Sequence, residues 1–272
     1  MNYRHAYHAG NFADCFKHAL LVALLDSFGR KPSPYFVLDT HAGAGRYDLE
    51  GEAARRTAEA DTGIRLLLQR PAPALQRYLA LVERLGLYPG SPTFVRAVMR
   101  GTDREACCEI HPDDASTLRR LFRLDPQVEV HERSGWEALG ALLPPRERRG
   151  LVFIDPPFES GDEFRMLADG LRHGHSRFGH GVFAAWYPIK QMASVRGFYA
   201  RLRSSGIRDI VGAELHVGDA TSPNRLNGCG LIVINPPYEF EDQSKSIAEA
   251  ILAGLSDNGI GTGTAVFRLA HE

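Results

Sequence analysis

The sequence predicts an α/β protein built on a doubly wound, largely parallel sheet, and two observations carry this prediction. Short apolar runs typical of buried strands alternate with segments of helical periodicity. A glycine-rich loop follows the first run, as is usual at the ligand-binding edge of such sheets. The predicted strands are residues 35–39, 106–110, 128–131, 151–154, 182–187, 210–217 and 231–234. The predicted helices between them are residues 113–123, 134–142, 162–173 and 190–205.

The chain opens with an aperiodic arm that is followed by a helix. Asn11 is a candidate N-cap, and apolar residues then recur at spacings of three and four. Residues 1–10 show no such period, so packing does not explain Tyr3, Arg4 and His5. We therefore expect this arm to close over a bound substrate, because it combines an aromatic ring with positive charge.

Residues 50–88 interrupt the alternation of strands and helices. They contain no strand signal but a long amphipathic helical pattern, broken by two prolines. The sheet resumes after them, so we interpret them as a small helical subdomain inserted into a larger domain. The predicted division is a main domain of residues 1–49 and 89–272, with the arm at 1–10, and an inserted subdomain of residues 50–88.

The composition is that of an ordinary globular protein. The 272 residues are 44% hydrophobic and 24% charged, and the net charge of −1 with a pI of about 6.8 does not indicate a nucleic-acid partner. The four cysteines suggest neither a disulfide framework nor a zinc site, and the early histidines lack the short paired spacing of zinc ligands. No signal peptide is recognisable, and no window approaches the roughly 18 apolar residues of a membrane span. We therefore expect a cytoplasmic protein that has no metal and no membrane segment.

The segment FVLDTHAGAGRY, residues 36–47, is typical of a loop that lets a bound nucleotide approach the backbone. Asp39 ends the strand, and Gly43 and Gly45 lie in the following turn, where glycine tolerates positive φ. The glycine spacing differs from the G-x-G-x-x-G pattern, which disfavours a nicotinamide-dependent dehydrogenase. S-adenosylmethionine has no phosphates to bind, so this looser loop favours a methyl-donor site. Glycines needed only for a tight turn are the alternative.

Two further positions would complete such a site. Glu109 ends a predicted strand, where its carboxylate could accept hydrogen bonds from the ribose diol of the cofactor. A solvated acid at a strand end is the alternative interpretation of Glu109. Ser134 and Gly135 follow the next strand, where the adenine of the cofactor normally packs in such a sheet.

Two strand ends carry nearly the same letters, LVFIDPPFE at 151–159 and LIVINPPYE at 231–239. Amino-methyltransferases place an acid or amide, two prolines and an aromatic ring against the amino group that they methylate. The first strand is predicted to lie beside the first strand of the chain at the switch point, so Asp155 would face the ligand. The second is predicted to be the last strand and antiparallel, so Asn235 to Tyr238 would form a turn at the opposite rim.

The chemistry of adenine methylation suits the first of these motifs. The exocyclic amine of adenine is a poor nucleophile because its lone pair is delocalised into the ring. The Asp155 carboxylate and the Pro156 carbonyl could accept from this amine and take up its developing positive charge. Phe158 offers an aromatic face for the extracted base. These three residues are the candidate catalytic group.

Seven stretches carry a resemblance to one family: YRHAYHAGNFADCFKH, LDTHAGAGRY, YPGSP, REACCEIHP, RRGLVFIDPPFE, WYP and NPPYE. Along its whole length the chain resembles the RlmJ-type 23S ribosomal RNA adenine-N6 methyltransferases. This resemblance implies a Rossmann-like class I methyltransferase domain with the helical segment inserted into it. It also implies contacts to S-adenosylmethionine or to the reacting centre from His18, His41, Ser91, Glu109, Ser134, Gly135 and Asp155. The chain departs from the family at Phe158, where tyrosine is common, so the ring face is kept and a hydroxyl is lost.

The resemblance implies methylation of a specific adenine in 23S ribosomal RNA. The expected substrate is protein-free RNA or an early assembly intermediate, and the expected state is a monomer. Tyr3, Arg4, His5 and Lys17 are the candidate substrate contacts. Two alternatives stay open: an adenine-N6 methyltransferase acting on DNA, and a non-catalytic nucleic-acid-binding module on the same fold. The chain has no obvious separate target-recognition domain, which disfavours a sequence-specific DNA enzyme.

Overall fold

An eight-stranded sheet forms the centre of the protein, which we describe from a computed structural model over residues 5–220, 225–255 and 261–271. The strands are β1 (Phe36–Asp39), β2 (Arg46–Tyr47), β3 (Tyr88–Pro89), β4 (Arg104–Glu109), β5 (Val128–Glu132), β6 (Gly150–Ile154), β7 (Val182–Ile189), β8 (Ile210–Val217), β9 (Gly228–Ile234) and β10 (Thr262–Ala270). The helices are α1 (Phe12–Gly29), α2 (Glu52–Thr57), α3 (Ile64–Gln69), α4 (Gln76–Leu85), α5 (Ser91–Val98), α6 (Pro112–Phe122), α7 (Gly135–Ala141), α8 (Glu163–Arg177), α9 (Met192–Ser204) and α10 (Phe240–Gly254). Short 3-10 helices span His5–Tyr7, Glu59–Thr62 and Pro73–Leu75. Strands β2 and β3 form a separate antiparallel ribbon.

The strand order of the main sheet is β10-β8-β9-β7-β6-β1-β4-β5. Strands β7, β6, β1, β4 and β5 run parallel, with helices on both faces, which is the doubly wound arrangement that the sequence predicts. Strand β6 lies beside β1, which confirms the predicted neighbours at the switch point. Asp39 pairs with Phe153 in this register, so β1 and β6 end at nearly the same level of the carboxyl rim.

The antiparallel half of the sheet differs from the prediction in one respect. Strand β9 is antiparallel to β7 and β8 as expected, but it lies between them and is not the last strand. Strand β10 follows it along the chain and, among the described residues, pairs only with β8, so β10 forms the edge. The sequence does not reveal β10 because nearly all of its side chains are only partly buried, so it has no continuous apolar run.

Helix α1 is capped where the sequence predicts, at Asn11. The Asn11 side chain accepts a hydrogen bond of 2.9 Å from the Asp14 amide, which caps the helix. Most side chains of α1 are buried, because α5, α10 and the sheet pack around it. Asp14 and Lys17 are among these buried side chains. Buried charges need partners, and both of these find them beside the sheet's carboxyl rim.

Segment 50–88 folds mainly into helices and adds no strand to the main sheet. The buried side chains of α3 and α4 belong to the same hydrophobic cluster as those of α1 and α10. Leu67 of α3 packs tightly against Gly254 of α10, since a Cβ on Gly254 would lie 2.5 Å from the Leu67 Cδ2. The inserted helices therefore share the core on one face of the sheet.

The opposite face of the sheet packs against α7, α8 and α9 in a second apolar cluster. All four cysteines are buried and none forms a disulfide. Within the described ranges, no helix is both long enough and apolar enough to span a bilayer.

Candidate active site

A cavity of about 1260 Å³ opens at the carboxyl rim of the parallel strands. Most of the predicted site residues line it: His5, Lys17, His18, His41, Gly43, Ser91, Glu109, Ser134, Gly135, Asp155, Pro156 and Phe158. Gly45 does not line it, and Tyr3 and Arg4 lie outside the described residues. The volume exceeds the roughly 300–1,000 Å³ of most small-molecule sites, so the cavity can hold a cofactor together with a second group.

Lys17 joins two carboxylates in the wall of this cavity. Its Nζ lies 2.5 Å from Asp155 Oδ2 and 2.8 Å from Asp14 Oδ1. The same Nζ lies 5.6 Å from the centroid of the Trp186 ring, within the range of a cation–π interaction. Lys17 lies on α1 and Asp155 directly follows β6, so folding brings together residues 138 positions apart. The lysine thereby orients the Asp155 carboxylate at the rim.

Asp14 contacts both Lys17 and His5. Its Oδ2 accepts a hydrogen bond of 3.0 Å from the Gly10 amide and lies 2.9 Å from His5 Nε2. Burial by itself would raise the pKa of Asp14, but His5 and Lys17 outweigh burial and hold that pKa well below its ordinary value. Asp14 therefore remains a carboxylate and fixes His5 and Lys17 beside the cavity.

His18 is buried next to this group. Its Nδ1 lies 3.0 Å from the Tyr88 hydroxyl, which lies 3.0 Å from the hydroxyl of Tyr78. Burial, with a smaller contribution from Lys17, lowers the pKa of His18 well below its ordinary value. His18 is therefore neutral at pH 7, and it serves the cavity as a hydrogen-bonding group and not as a charge.

The glycine-rich loop and Glu109 form one wall of the cavity. Gly43 has a φ of 61°, and a Cβ there would lie 2.3 Å from the Tyr47 hydroxyl, so only glycine fits. Glu109 accepts hydrogen bonds from the Gly43 amide at 2.8 Å and from the His111 amide at 2.7 Å. Each carboxylate oxygen has capacity for a further donor. The position of Glu109 therefore suits recognition of a ligand that carries hydroxyl groups.

Gly45 shapes the wall without lining it. Its φ is 80°, and its carbonyl accepts a hydrogen bond of 2.8 Å from the Gly90 amide. A Cβ on Gly45 would lie 2.7 Å from the Leu118 side chain, so Gly45 packs against α6. The bond to Gly90 fixes the start of α5, where Ser91 lines the cavity.

The start of α7 closes the cavity beside Thr40. A Cβ on Gly135 would lie 2.1 Å from the Thr40 carbonyl oxygen, so the helix needs glycine to approach this closely. Ser134 is the N-cap of the same helix. His41 Nδ1 lies 2.8 Å from Thr40 Oγ1, and its ring meets the Trp136 ring edge-on at 5.1 Å. Burial lowers the pKa of His41 to about 4, so His41 is neutral at pH 7.

Phe158 holds its ring in the cavity through an unusual backbone conformation. Its φ is 51°, which is sterically unfavourable for a residue with a Cβ and is typical of functional sites. The ring packs edge-on against Phe164 at 5.0 Å and against Trp186 at 5.8 Å. Phe158 and Trp186 therefore form an aromatic wall close to Asp155.

Several other residues that line the cavity carry no motif that singles them out in the sequence. They are Glu59, Asp114, Trp136, Glu163, Lys190 and Arg225. They come from different helices and loops, so only the fold brings them together. Trp186 also lines the cavity, and it belongs to the WYP stretch that contributes to the family resemblance. Within the described ranges, no three His, Cys, Asp or Glu side chains are placed to hold a metal ion.

The second motif lies at the opposite rim, as strand direction predicts. Asn235 follows the antiparallel strand β9 and donates hydrogen bonds to the carbonyls of Gly179 and Gly181, which precede β7. Tyr238 is fully exposed and is not part of the cavity wall. The motif at Asn235 therefore serves as a turn, and the motif at Asp155 faces the cavity.

The comparison with known families agrees with this geometry. The family model described as "Ribosomal RNA large subunit methyltransferase D, RlmJ" matches residues 32–268. The chain belongs to this family. Two RlmJ relatives are named ribosomal RNA large subunit methyltransferase J, one from Escherichia coli (strain K12) and one from Haemophilus influenzae (strain ATCC 51907 / DSM 11121 / KW20 / Rd). They are 38% and 36% identical to this chain, and each match covers 97% of both proteins.

Solved structures confirm the fold expected of an RlmJ methyltransferase. A crystal structure of a Legionella pneumophila protein is 32% identical, has a TM-score of 0.88, and covers 96% of this chain and 98% of its own. A probable spermidine synthase from Corynebacterium glutamicum is 11% identical with a TM-score of 0.52, covering 97% of this chain and 77% of its own. The second likeness concerns the fold alone. The protein is thus an enzyme of the methyltransferase class with a Rossmann-like class I fold.

Proposed function

We propose that this enzyme transfers a methyl group from S-adenosylmethionine to the N6 amine of an adenine in 23S ribosomal RNA. The observation that carries the proposal is the position of Asp155, which opens into the same cavity as Glu109 and Gly43. The names of the two curated relatives support ribosomal RNA as the substrate class. The proposal goes further than these names in choosing adenine and in choosing N6.

The part of the wall that contains Glu109 and Gly43 suits S-adenosylmethionine. The carboxylate of Glu109 would accept from the ribose hydroxyls, while the glycines at 43 and 135 let the loop and the start of α7 pack closely against Tyr47 and Thr40 in the cavity wall. His41 and Ser91 would contact the remaining polar groups of the cofactor, and both are neutral at pH 7. When bound, S-adenosylmethionine supplies an electrophilic methyl group.

Asp155 and Pro156 would receive the adenine amine. Accepting a hydrogen bond from the amine favours its pyramidal form and stabilises the positive charge that develops on nitrogen. Lys17 holds the Asp155 carboxylate through one oxygen at 2.5 Å. We assign the other oxygen, Oδ1, to the amine.

The aromatic wall of Phe158 and Trp186 would receive the base itself. Stacking on an aromatic face is worth about 1–3 kcal/mol per base and does not require a hydroxyl. Phe158 in place of the family's common tyrosine therefore keeps this interaction. A base inside a helix must be extracted before it can reach Asp155, which costs a few kcal/mol that stacking offsets in part.

The central test replaces Asp155. We expect Asp155→Ala to lower the rate of methyl transfer to RNA by at least about 100-fold, because it removes the acceptor of the amine. Binding of S-adenosylmethionine, measured by calorimetry, should be largely kept, since the wall with Glu109 is untouched. Lys17 retains Asp14 as a partner at 2.8 Å, so the fold should tolerate the change.

Mass spectrometry of nucleosides identifies the product of this reaction. The wild-type enzyme, incubated with protein-free 23S ribosomal RNA, should yield N6-methyladenosine, and equimolar duplex DNA should compete poorly. A fully active Asp155→Ala enzyme would overturn the assigned acceptor. Preferential methylation of the DNA would favour the alternative of a DNA methyltransferase, and failure to bind S-adenosylmethionine would contradict the proposed cofactor.

A further inference from the structure

Carboxylates outnumber lysines and arginines in the described lining of the cavity. The carboxylates are Asp14, Glu59, Glu109, Asp114, Asp155, Glu159 and Glu163. Such a wall repels the phosphates of a nucleic acid at close range. A polyanionic strand therefore needs a defined point of positive charge at which it can enter.

Two exposed cations at one edge of the cavity meet this need. Among the described residues, the lysine and arginine side chains that line the cavity are Lys17, Lys190 and Arg225. Lys17 is already bound to Asp14 and Asp155. No salt bridge or side-chain hydrogen bond within the described ranges involves the charged group of Lys190 or Arg225. Burial is the largest influence on the pKa of Glu163 and raises it, while the charge of Lys190 acts in the opposite direction.

A single buried amide holds these two cations next to each other. Asn227 is 3% exposed, and its Nδ2 donates to the carbonyls of Lys190 and Arg225, both at 3.1 Å. The Asn227 backbone amide donates to the Ile189 carbonyl at 2.9 Å. Because Lys190 follows β7 and Arg225 precedes β9, the antiparallel pairing of these strands fixes the distance between the two residues.

The two cations lie well beyond the position of the reacting amine. Strand β7 runs parallel to β6, and Ala185 pairs with Ile154, the residue before Asp155. Trp186, the next residue of β7, is therefore level with Asp155, and from Trp186 to Lys190 the chain advances four residues, or about 13 Å at the rise of a strand. The sugar and flanking phosphates of a base whose amine is at Asp155 must extend away from the reacting centre. Lys190 and Arg225 line the same cavity away from that centre, so they can meet these phosphates.

We propose that Lys190 and Arg225 form a phosphate-binding pair for the RNA strand that flanks the target adenosine. The assignment rests on the proposed function and adds to it the path of the substrate backbone. Arginine binds a phosphate through two parallel hydrogen bonds, and lysine binds as a point charge. Asn227 sets the spacing of the pair and is a positioning residue.

The test is the salt dependence of RNA binding. We expect the double variant Lys190→Gln/Arg225→Gln to bind a 23S RNA fragment about tenfold more weakly. The slope of log affinity against log salt should become shallower by about 1.4, which corresponds to two phosphate contacts of a single strand. The KM for RNA should rise in parallel, while calorimetry should give an unchanged affinity for S-adenosylmethionine.

A matched control carries the same charge change elsewhere. Lys245 and Arg201 are exposed residues of α10 and α9 that do not line the cavity. The variant Lys245→Gln/Arg201→Gln should keep the wild-type salt slope and KM. If both double variants lost the same affinity for RNA, the loss would come from net charge, and the proposed phosphate-binding pair would be wrong.

The outcome separates this inference from the proposed function. If the wild-type enzyme methylates adenine in the RNA and the Lys190/Arg225 variant keeps its slope and KM, the phosphate-binding pair is wrong and the function stands. If the wild-type enzyme does not methylate adenine in ribosomal RNA, the function itself fails. A uniform loss of affinity for S-adenosylmethionine in the variant would also contradict the pair, because it would place these residues at the cofactor.

Discussion

Asp39 and Asp155 end neighbouring parallel strands but have different surroundings. Asp155 lies at the cavity with the Lys17 ammonium 2.5 Å from one oxygen. Asp39 is fully buried behind the wall, where Oδ1 accepts a hydrogen bond of 3.3 Å from the His41 amide and Oδ2 has no hydrogen-bond partner within the described ranges. Burial is the main reason that the pKa of Asp39 rises to about 7. Two carboxyl groups of the same rim thus differ in exposure and in their polar partners.

Asp39 should make the stability of the enzyme depend on pH. An unfolded aspartate releases its proton near pH 3.9, whereas Asp39 in the folded state releases it near pH 7. Between these two pH values only the native state holds this proton. The contribution of Asp39 to the free energy of unfolding therefore falls by about 1.4 kcal/mol for each unit by which the pH rises. Asp39→Asn removes that contribution.

We therefore expect the stability of Asp39→Asn, relative to wild type, to increase as pH rises through this window and then to level off above about pH 7. Urea unfolding of both proteins at pH values that span the window measures this difference. Taking the difference between the two proteins cancels other groups that titrate in the same range, such as histidines. A difference that does not change with pH would contradict the buried, protonated state of Asp39.

At the scale of elements, the direction of one strand separates two nearly identical motifs. Strand β6 is parallel to β1 and delivers Asp155 to the cavity, whereas β9 is antiparallel and delivers Asn235 to the far rim. Asn235 has a φ of 53°, a conformation that asparagine tolerates better than most residues. Its side chain links the end of β9 to the turn before β7.

Replacing Asn235 should therefore affect stability and leave the reaction intact. We expect Asn235→Ala to lower the free energy of unfolding by about 1–3 kcal/mol, since two carbonyls lose their donor. The rate of methyl transfer per folded molecule should not change. Asn235→Gly is the matched variant, because it removes the same hydrogen bonds but tolerates the positive φ, so it should lose less stability. A selective loss of catalysis in Asn235→Ala would instead implicate the second motif in the reaction.

At the scale of the whole molecule, the segment predicted as an inserted subdomain shares its core with the rest of the chain. Leu67 of this segment contacts α10, and His8 and Asn11 each form a hydrogen bond of 2.9 Å to Glu59 of the segment. Glu59 also lines the cavity. We infer that the segment stabilises the cavity and does not fold independently of it.

Truncating Leu67 tests this coupling. We expect Leu67→Ala to lower the free energy of unfolding by about 2–5 kcal/mol, because it leaves a cavity in a shared core. Unfolding should remain a single transition, and hydrogen exchange should lose protection in α10 as well as in α3. Leu87 of the same segment is 49% exposed, so Leu87→Ala is the control and should change stability by less than about 0.5 kcal/mol. A separate early transition for residues 50–88 would show an independent subdomain.

The sequence by itself determined the fold class, the family and most of the candidate site. Alternating apolar runs and helical periods report burial over a few residues at a time, and Asp155, Glu109 and Gly43 lie within such local patterns. The sequence did not predict the edge strand β10, because a strand that is only partly buried has no such pattern.

Only the tertiary structure decided which distant residues meet. The contact between Lys17 and Asp155 spans 138 positions, and Asn227 holds Lys190 and Arg225 together across two antiparallel strands. Contacts of this kind depend on how the whole chain packs, and no local sequence pattern reports which distant side chains will meet. The two Pro-Pro motifs fall between these cases. The expected strand directions already predict that Asp155 faces the cavity and Asn235 the opposite rim, but the position of β9 inside the sheet depends on its pairing with both β7 and β8.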